Sequence, residues 1–334
     1  MKILTIIVSY NFERWIDRCL GSLRASLHPT DVLVIDNCSK DQTVERIRRD
    51  WPEVRLIAND ANLGFGKANN LGMTIALEEG YDAVFLLNQD AWIDEHTLGT
   101  LADHAVQTAR TTGENTGEAF GENTGETSSG SKWGILSPVH CDGSGEHLDF
   151  GFAHYTQLQS KEELQQKNVA GQKAPTAGIS PVPSVIEAPF VNAAFWFIPR
   201  TVLNQVGGFS PLFYHYGEDK DYVNRLTYYG YKIGYDPTIF GCHDRAFRKT
   251  TEFDFFRAEK VYLLSEYANP NYSFLKGFAY GVLAGIKKAL QALLKGNLHY
   301  ACQFTGIVWW LLRQTFTIRK RRKQYQSGKP VFLT

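Results

Sequence analysis

Short β-branched runs alternate with segments of helical period through the first hundred residues, and this alternation restricts the chain to βαβ units wound into a sheet. Residues 4–8 read as a first strand, 31–36 (DVLVID) as a second, 54–58 as a third and 83–87 as a fourth. Residues 12–26 place Trp15, Ile16, Cys19, Leu20 and Leu23 at helical intervals, and residues 40–50 and 66–78 supply two further crossover helices. Each strand ends in polar residues: Ser9-Tyr10-Asn11, Asp36-Asn37, Asn59, and Asn88-Gln89-Asp90. In a parallel sheet those ends converge on the crevice where open α/β folds hold ligands.

The chain has 334 residues, of which 43% are apolar, enough for one large α/β domain with an appendage or for two domains. Lys and Arg number 35, as do Asp and Glu, so no overall attraction to nucleic acid is expected. Charge is uneven, because residues 313–329 contain Arg319-Lys320-Arg321-Arg322-Lys323 and no acid. The five cysteines are widely spaced without a C-x-x-C pair, which points to a reducing cytosol rather than a disulfide framework or zinc knuckle. The opening apolar run is too short for a signal peptide, and lysines interrupt the C-terminal apolar region before it reaches membrane-spanning length.

Residues 113–131 hold an imperfect tandem repeat of the G-E-N-T-G-E type, with too little apolar content to pack, and read as a surface insertion. The Gln-rich stretch 158–183 reads similarly, with partial helix around 161–167. Order is expected to resume at 188, with 190–198 as a buried strand, a helix through Leu226, a short strand at 230–235, and helices from 252 onward. Residues 307–312 (IVWWLL) followed by the basic cluster either lie against an anionic membrane surface through 307–323 or pack as a helical subdomain with a solvated end.

Two acidic groups carry the chemistry. Asp90 at a strand end is placed to hold a hard cation and the phosphates it bridges, although a lone strand-ending Asp is more often a turn or a helix cap. About 130 positions on, Glu218-Asp219-Lys220-Asp221 crowds carboxylates, which raises the proton affinity of at least one and suits a general base; alternatively, acids there complement a helix N-terminus.

These blocks together, Ile7-Val8-Ser9-Tyr10-Asn11, Val34 to Asp41, Asn62 to Gly72, Asn88-Gln89-Asp90 and Gly217 to Asp221, resemble glycosyltransferase family 2, in its rhamnosyltransferase-like branch. The resemblance implies a GT-A fold, an α/β mixed sheet flanked by helices over residues 1–250, with a C-terminal helical extension over 251–334. It further implies an inverting transfer of rhamnose or a hexose from a dTDP- or UDP-linked donor to a saccharide or lipid-linked acceptor, at the cytoplasmic face of a membrane. Ser9, Tyr10, Asn11, Asp36, Asn37, Gly64, Gly66, Lys67, Asn69, Asn88 and Gln89 would then bind donor. Asp90 and His243 would hold Mg²⁺ or Mn²⁺, with Asn88 standing where the family's D-x-D motif has its first acid. Asp219 would be the base with Glu218 beside it, and Trp196, Tyr216 and Asp221 would face acceptor; Phe209, Phe213 and Tyr214 are further candidates for stacking on sugar. A catalytically inactive nucleotide-sugar-binding protein of the same fold is the alternative.

Overall fold

The computed structural model describes residues 1–112, 132–164, 185–214, 216–245 and 251–333, so the tandem repeat and most of the Gln-rich stretch lie outside the described residues. The described chain divides into two compact units.

The first unit comprises Met1–Leu63, Leu71–Val202 and Gly230–Arg245. Its nine strands form one sheet, in the order β3-β2-β1-β4-β8-β6-β9-β5 with β7 beside β9. β1 (Ile3–Ser9), β2 (Asp31–Asp36), β3 (Arg55–Ala58) and β4 (Ala83–Leu87) are parallel, as the alternation requires. β8 (Phe195–Pro199) then joins β4 antiparallel, and β6 (Trp133–Asp142) runs parallel to β9 (Lys232–His243), so the sheet is mixed. β5 (Ala91–Ile93) and β7 (Ile186–Glu187) pair antiparallel with β9. Helices α1 (Ile16–Arg24), α2 (Thr43–Asp50), α3 (Phe65–Glu78), α4 (Thr97–Thr112) and α5 (Phe150–Thr156) connect the strands. Ile16, Cys19, Leu20 and Leu23 of α1 join Ile7, Phe85 and Phe197 of the sheet in one apolar core. Gly72 lets α3 lie against β1, since a Cβ there would stand 2.8 Å from Ile6 Cγ2.

The second unit comprises Gly64–Asn70, Leu203–Tyr229 and the described residues after Ala246. Its bounds differ from the expected 1–250 and 251–334, because the segment at 64–70 packs with Phe209 and Tyr214 rather than with the sheet alone. After α6 (Arg200–Val206) come α7 (Glu218–Tyr228), α8 (Glu252–Ala268), α9 (Phe274–Phe278), a π-helical turn (Ala279–Leu283), α10 (Ala284–Leu294) and α11 (Leu298–Tyr325). Thr251 and Asp254 form a capping box that starts α8. Leu263, Tyr267, Val282, Ala289, Val308 and Leu311 build the helical core.

Gly277, Gly281 and Gly285 recur at intervals of four and all meet close neighbours: Tyr267 O, Tyr267 Cβ and Val308 Cγ2 respectively, within 2.9 Å of a built Cβ. The basic cluster is not uniformly solvated. Arg322 is buried and donates to the carbonyls of Tyr267, Asn269 and Tyr272, a cation set against the C-terminal end of α8. Within 307–312, Ile307, Val308 and Leu311 are buried while Trp309 and Leu312 face outward. No helix among the described residues is long and apolar enough to cross a membrane.

Candidate active site

In the first unit the polar strand ends are joined by hydrogen bonds. Asp36 is fully buried, and its carboxylate accepts from Ser9 Oγ at 2.9 Å, from Ser39 Oγ at 2.5 Å and from Ser39 N–H at 2.9 Å. Asn37 N–H donates to Ser9 O, and the Asn37 amide oxygen accepts from Asn59 and from Leu63 N–H. Ser9, Asp36 and Asn37 thus form the buried frame of the strand edge, with Ser9 and Ser39 held by the Asp36 carboxylate and Asn59 and Leu63 by the Asn37 amide oxygen.

The exposed layer stands on that frame. Tyr10 and Asn11 are exposed, and Asn11 adopts a positive φ of 55°. Gln89 clasps Tyr10 on both sides, accepting from its N–H at 2.7 Å and donating to its C=O at 3.1 Å. Asn11 accepts from Lys40 N–H, which ties the β1 end to the β2 loop. An open pocket of 610 Å³ begins at Asn11 and is walled by Glu13, Arg14, Trp15, Asp17, Asp41 and Arg46.

Asp90 follows in the same strand edge. Its side chain is a quarter exposed, and its Oδ1 lies 3.1 Å from Nε2 of His243, which is buried. Asn88 Nδ2 approaches the same Nε2 at 3.4 Å. One ring nitrogen cannot donate to a carboxylate and accept from an amide at once, so the proton's position selects between the two contacts. His243 Nδ1 has no hydrogen-bond partner among the described residues. Burial, reinforced by the Asp90 carboxylate, pushes the nearby Cys19 thiol far above its ordinary range, so it stays protonated. Asp244 N–H donates to Asp90 O, and the Asp244 carboxylate accepts from Trp15 Nε1 at 2.9 Å and Arg14 at 3.2 Å.

Among the described residues no group of three or more His, Cys, Asp and Glu gathers to hold a metal. Asp90 and His243 nevertheless supply one carboxylate oxygen and one imidazole nitrogen at a single point. That donor set leaves room for a divalent cation whose remaining ligands are phosphate oxygens and water, and its nitrogen favours Mn²⁺ over Mg²⁺.

The second unit carries the other candidates. Gly64, at φ 79°, and Gly66 were expected to admit a nucleotide; instead Tyr214 O lies 2.7 Å and Phe209 Cβ 2.9 Å from a Cβ built on each. Both glycines therefore seat α3 against protein. Lys67 is exposed, and Asn69 is buried with its Nδ2 donating to Phe65 O at 3.0 Å. Asn70 pairs both backbone groups of Phe209, at 2.6 and 2.9 Å.

Helix α7 begins at Gly217, whose φ of 82° and a Val261 Cγ1 only 2.2 Å from a built Cβ leave room for glycine alone. Glu218 is buried, whereas Asp219 is half-buried and accepts from Lys220 N–H at 2.8 Å. Lys220 itself pairs with Glu266 at 3.2 Å. Glu218 Oε2 has no hydrogen-bond partner among the described residues. Burial, and then the charge of Asp219, push the Glu218 carboxyl up to about 7.

A carboxyl that binds its proton more tightly when folded contributes stability that is complete below its unfolded value of 4.5 and is lost as pH rises through about 7. The loss amounts to about 3 kcal/mol. Glu218→Gln is therefore expected to match the wild type in denaturant unfolding near pH 5 and to exceed its stability by up to that amount near pH 8. Equal pH dependence in the two proteins would show that Glu218 ionises normally.

Two acceptor candidates are corrected by their surroundings. Trp196 is fully buried on β8 and donates its indole N–H to Val191 O at 3.1 Å, so no sugar face reaches it. Asp221 is buried against Arg225, whose Nε donates to it at 2.9 Å while the other guanidinium nitrogens donate to Val206 O and Gly208 O. Its role is to anchor α7. Phe209 and Phe213 are also core residues, leaving Tyr214 and Tyr216 as the exposed aromatics before α7, with Arg257 4.6 Å over the Tyr216 ring.

Residues 5–136 match the family model for glycosyl transferase family 2. Over those residues the chain is similar to family 2 glycosyltransferases. The chain is 26% identical over 255 residues to N-acetylglucosaminyl-diphospho-decaprenol L-rhamnosyltransferase of Mycobacterium tuberculosis, covering 72% of this chain and 75% of that protein. It is 34% identical over 113 residues to undecaprenyl-phosphate mannosyltransferase of Micrococcus luteus, a match spanning 33% of this chain and 46% of the relative. Among solved structures, a mannosyltransferase of Pyrobaculum calidifontis in complex with GDP-Man and Mn²⁺ superposes with a TM-score of 0.50 at 15% identity, covering 92% of this chain and 87% of that chain. The architecture is the GT-A fold, with its mixed sheet and helical C-terminal region.

Proposed function

We propose that the protein is a glycosyltransferase that moves rhamnose or a hexose from a dTDP- or UDP-linked donor to a saccharide or lipid-linked acceptor, with inversion at the anomeric carbon, at the cytoplasmic surface of a membrane. The observation that carries the reading is Asp90: a partly exposed carboxylate at the end of a central strand, paired with His243 and within the span that matches the family. The lipid-linked acceptor and the membrane rest on the decaprenol- and undecaprenyl-linked relatives.

In this mechanism Tyr10 and Asn11 meet the nucleoside on the frame of Ser9, Asp36 and Asn37, with Gln89 fixing the Tyr10 backbone. Asp90 and His243 would hold Mg²⁺ or Mn²⁺, which supplies charge neutralisation to the diphosphate leaving group when bound. Asp219 takes the proton of the acceptor hydroxyl as that oxygen attacks the face opposite the diphosphate. Glu218, titrating near neutrality beside it, sets the charge around the base, so transfer is expected to rise through about pH 7 in the wild type and to lose that limb in Glu218→Gln.

The test is release of nucleoside diphosphate from a panel of sugar nucleotides with Mn²⁺ and acceptor. Asp90→Asn is expected to reduce turnover by about 10²-fold or more, through loss of an electrostatic group at the leaving diphosphate, and to abolish the dependence on added cation. Donor binding without any turnover across the panel would support the inactive-binder alternative instead.

A further inference from the structure

The 35 acids of the chain all precede residue 267, whereas residues 267–334 contain eleven Lys or Arg. A chain that is neutral overall therefore has no acidic side chain from residue 267 onward. The same segment leaves large apolar side chains uncovered.

Helices α10 and α11 each turn one stripe to the helical core: Ala289 and Ala292 from α10, and Phe304, Ile307, Val308 and Leu311 from α11. The other stripe of each is apolar as well. Leu290 and Leu294 of α10 are 56% and 89% exposed, and Trp309 and Phe316 of α11 are 58% and 81% exposed. Lys287, Lys295, Arg313 and Lys320 are exposed among them. A water-facing surface gains nothing from Leu, Trp and Phe at these positions, and such patches mark sites of interaction.

We infer that the exposed stripes of α10 and α11 are a monotopic docking surface for an anionic lipid bilayer, entering the interface without crossing it. The composition is what an interfacial helix requires: Leu, Trp and Phe to enter the acyl boundary, Lys and Arg to meet lipid phosphates, and no carboxylate to repel them. Charge also argues against a second copy as the occupant, because two basic stripes whose own helices carry no acid would be brought face to face, the α8 carboxylates Glu259 and Glu252 being paired with Lys288 and His299. The surface differs from the stretch 307–323 named by the sequence: it includes α10 and excludes Arg322, which is turned inward. The inference deepens the proposed lipid-linked acceptor and rests on that reading for its purpose, but its measurement does not involve sugar transfer.

The experiment is flotation of the full chain with phosphatidylglycerol-rich and with pure phosphatidylcholine vesicles. The wild type is expected to float with the anionic vesicles and to lose the preference when Lys287, Lys295, Arg313 and Lys320 are replaced by Gln. Leu290→Glu/Leu294→Glu and, separately, Phe316→Glu are expected to lower partitioning by roughly tenfold or more, with unchanged circular dichroism because these side chains support no core. Wild-type protein that stays in the aqueous fraction, or glutamate variants that float as it does, would overturn the inference. So would a concentration-dependent dimer in sedimentation that Leu290→Glu/Leu294→Glu abolishes, since the face would then belong to a second copy. Vesicle binding without transfer would overturn the proposed function alone, and transfer to a soluble acceptor without vesicle binding would overturn this inference alone.

Discussion

Asp219→Asn is expected to lower sugar transfer by about 10²- to 10⁴-fold, the range for loss of a positioned general base, with donor affinity unchanged. The amide is isosteric and keeps an oxygen for the Lys220 N–H, so α7 keeps its N-terminal contact and the fold should melt as before. A base acts on the acceptor proton and contributes little to holding the nucleotide, so calorimetric titration with donor should give wild-type affinity. Diphosphate release measured with acceptor checks the rate. Transfer at the wild-type rate would remove Asp219 from the base role and direct attention to Glu218, the neighbour whose proton is held to about pH 7.

Arg225→Ala is expected to cost about 3 to 5 kcal/mol of stability, the usual penalty for stripping one partner from a buried ion pair. Both charged side chains are 1% exposed, and the guanidinium satisfies two backbone carbonyls besides Asp221. Removing it leaves a carboxylate, Val206 O and Gly208 O without those donors. The Arg also lies 5.0 Å over Tyr222 and 5.2 Å over Tyr325, so ring contacts are lost as well. Denaturant unfolding at neutral pH measures the cost. The double substitution Asp221→Leu/Arg225→Met should recover part of it, because an apolar pair leaves no buried charge uncompensated. A single variant as stable as the wild type would mean that water or a shifted side chain replaces the guanidinium.

The sheet was legible where one signal dominated. Residues 31–36 and 83–87 match β2 and β4 to the residue, since each is an apolar run closed by polar neighbours. β9 was read only to 235 because Asp236-Pro237 looks like a break; in the structure the pairing slips there, from Pro138↔Asp236 to Val139↔Phe240, and the strand continues to His243. Asp236 occupies that irregularity by bonding His104 at 2.6 Å and Thr238. β6 gave no alternation because nearly all its side chains are buried on both faces. The same loss of period hid which aromatics of 195–197 face inward, and Trp196 was misassigned for that reason.

Helix ends were blurred by loops. α1 begins at Ile16 rather than Phe12; before it Asn11 turns at a positive φ of 55°, and the Phe12 and Glu13 N–H groups donate to Thr43 Oγ1 and the Asp41 carboxylate. Gly64 and Gly66 were correctly marked as close approaches, but a sequence does not name what approaches, and here it is Tyr214 and Phe209. The anchoring role of Asp221 was within reach: Arg225 stands four residues on, the spacing of a helical ion pair.

The π-helical turn sets the rotational phase of everything after it in that helix. On a regular α-helix, residues four apart advance by about 400°, so Gly277, Gly281 and Gly285 would drift by about 80° across one face. The wider turn at Ala279–Leu283 absorbs the drift and keeps the three glycines in register with α8 and α11. Five residues in the wider turn advance about as far as four on a regular α-helix, so deleting one residue between 279 and 283 would restore ordinary pitch and leave Leu290 and Leu294 outward and Ala289 inward. A one-residue change of length at this turn is thus taken up as a change of pitch, and homologues that lack a residue there should present the same side of α10 to their surroundings.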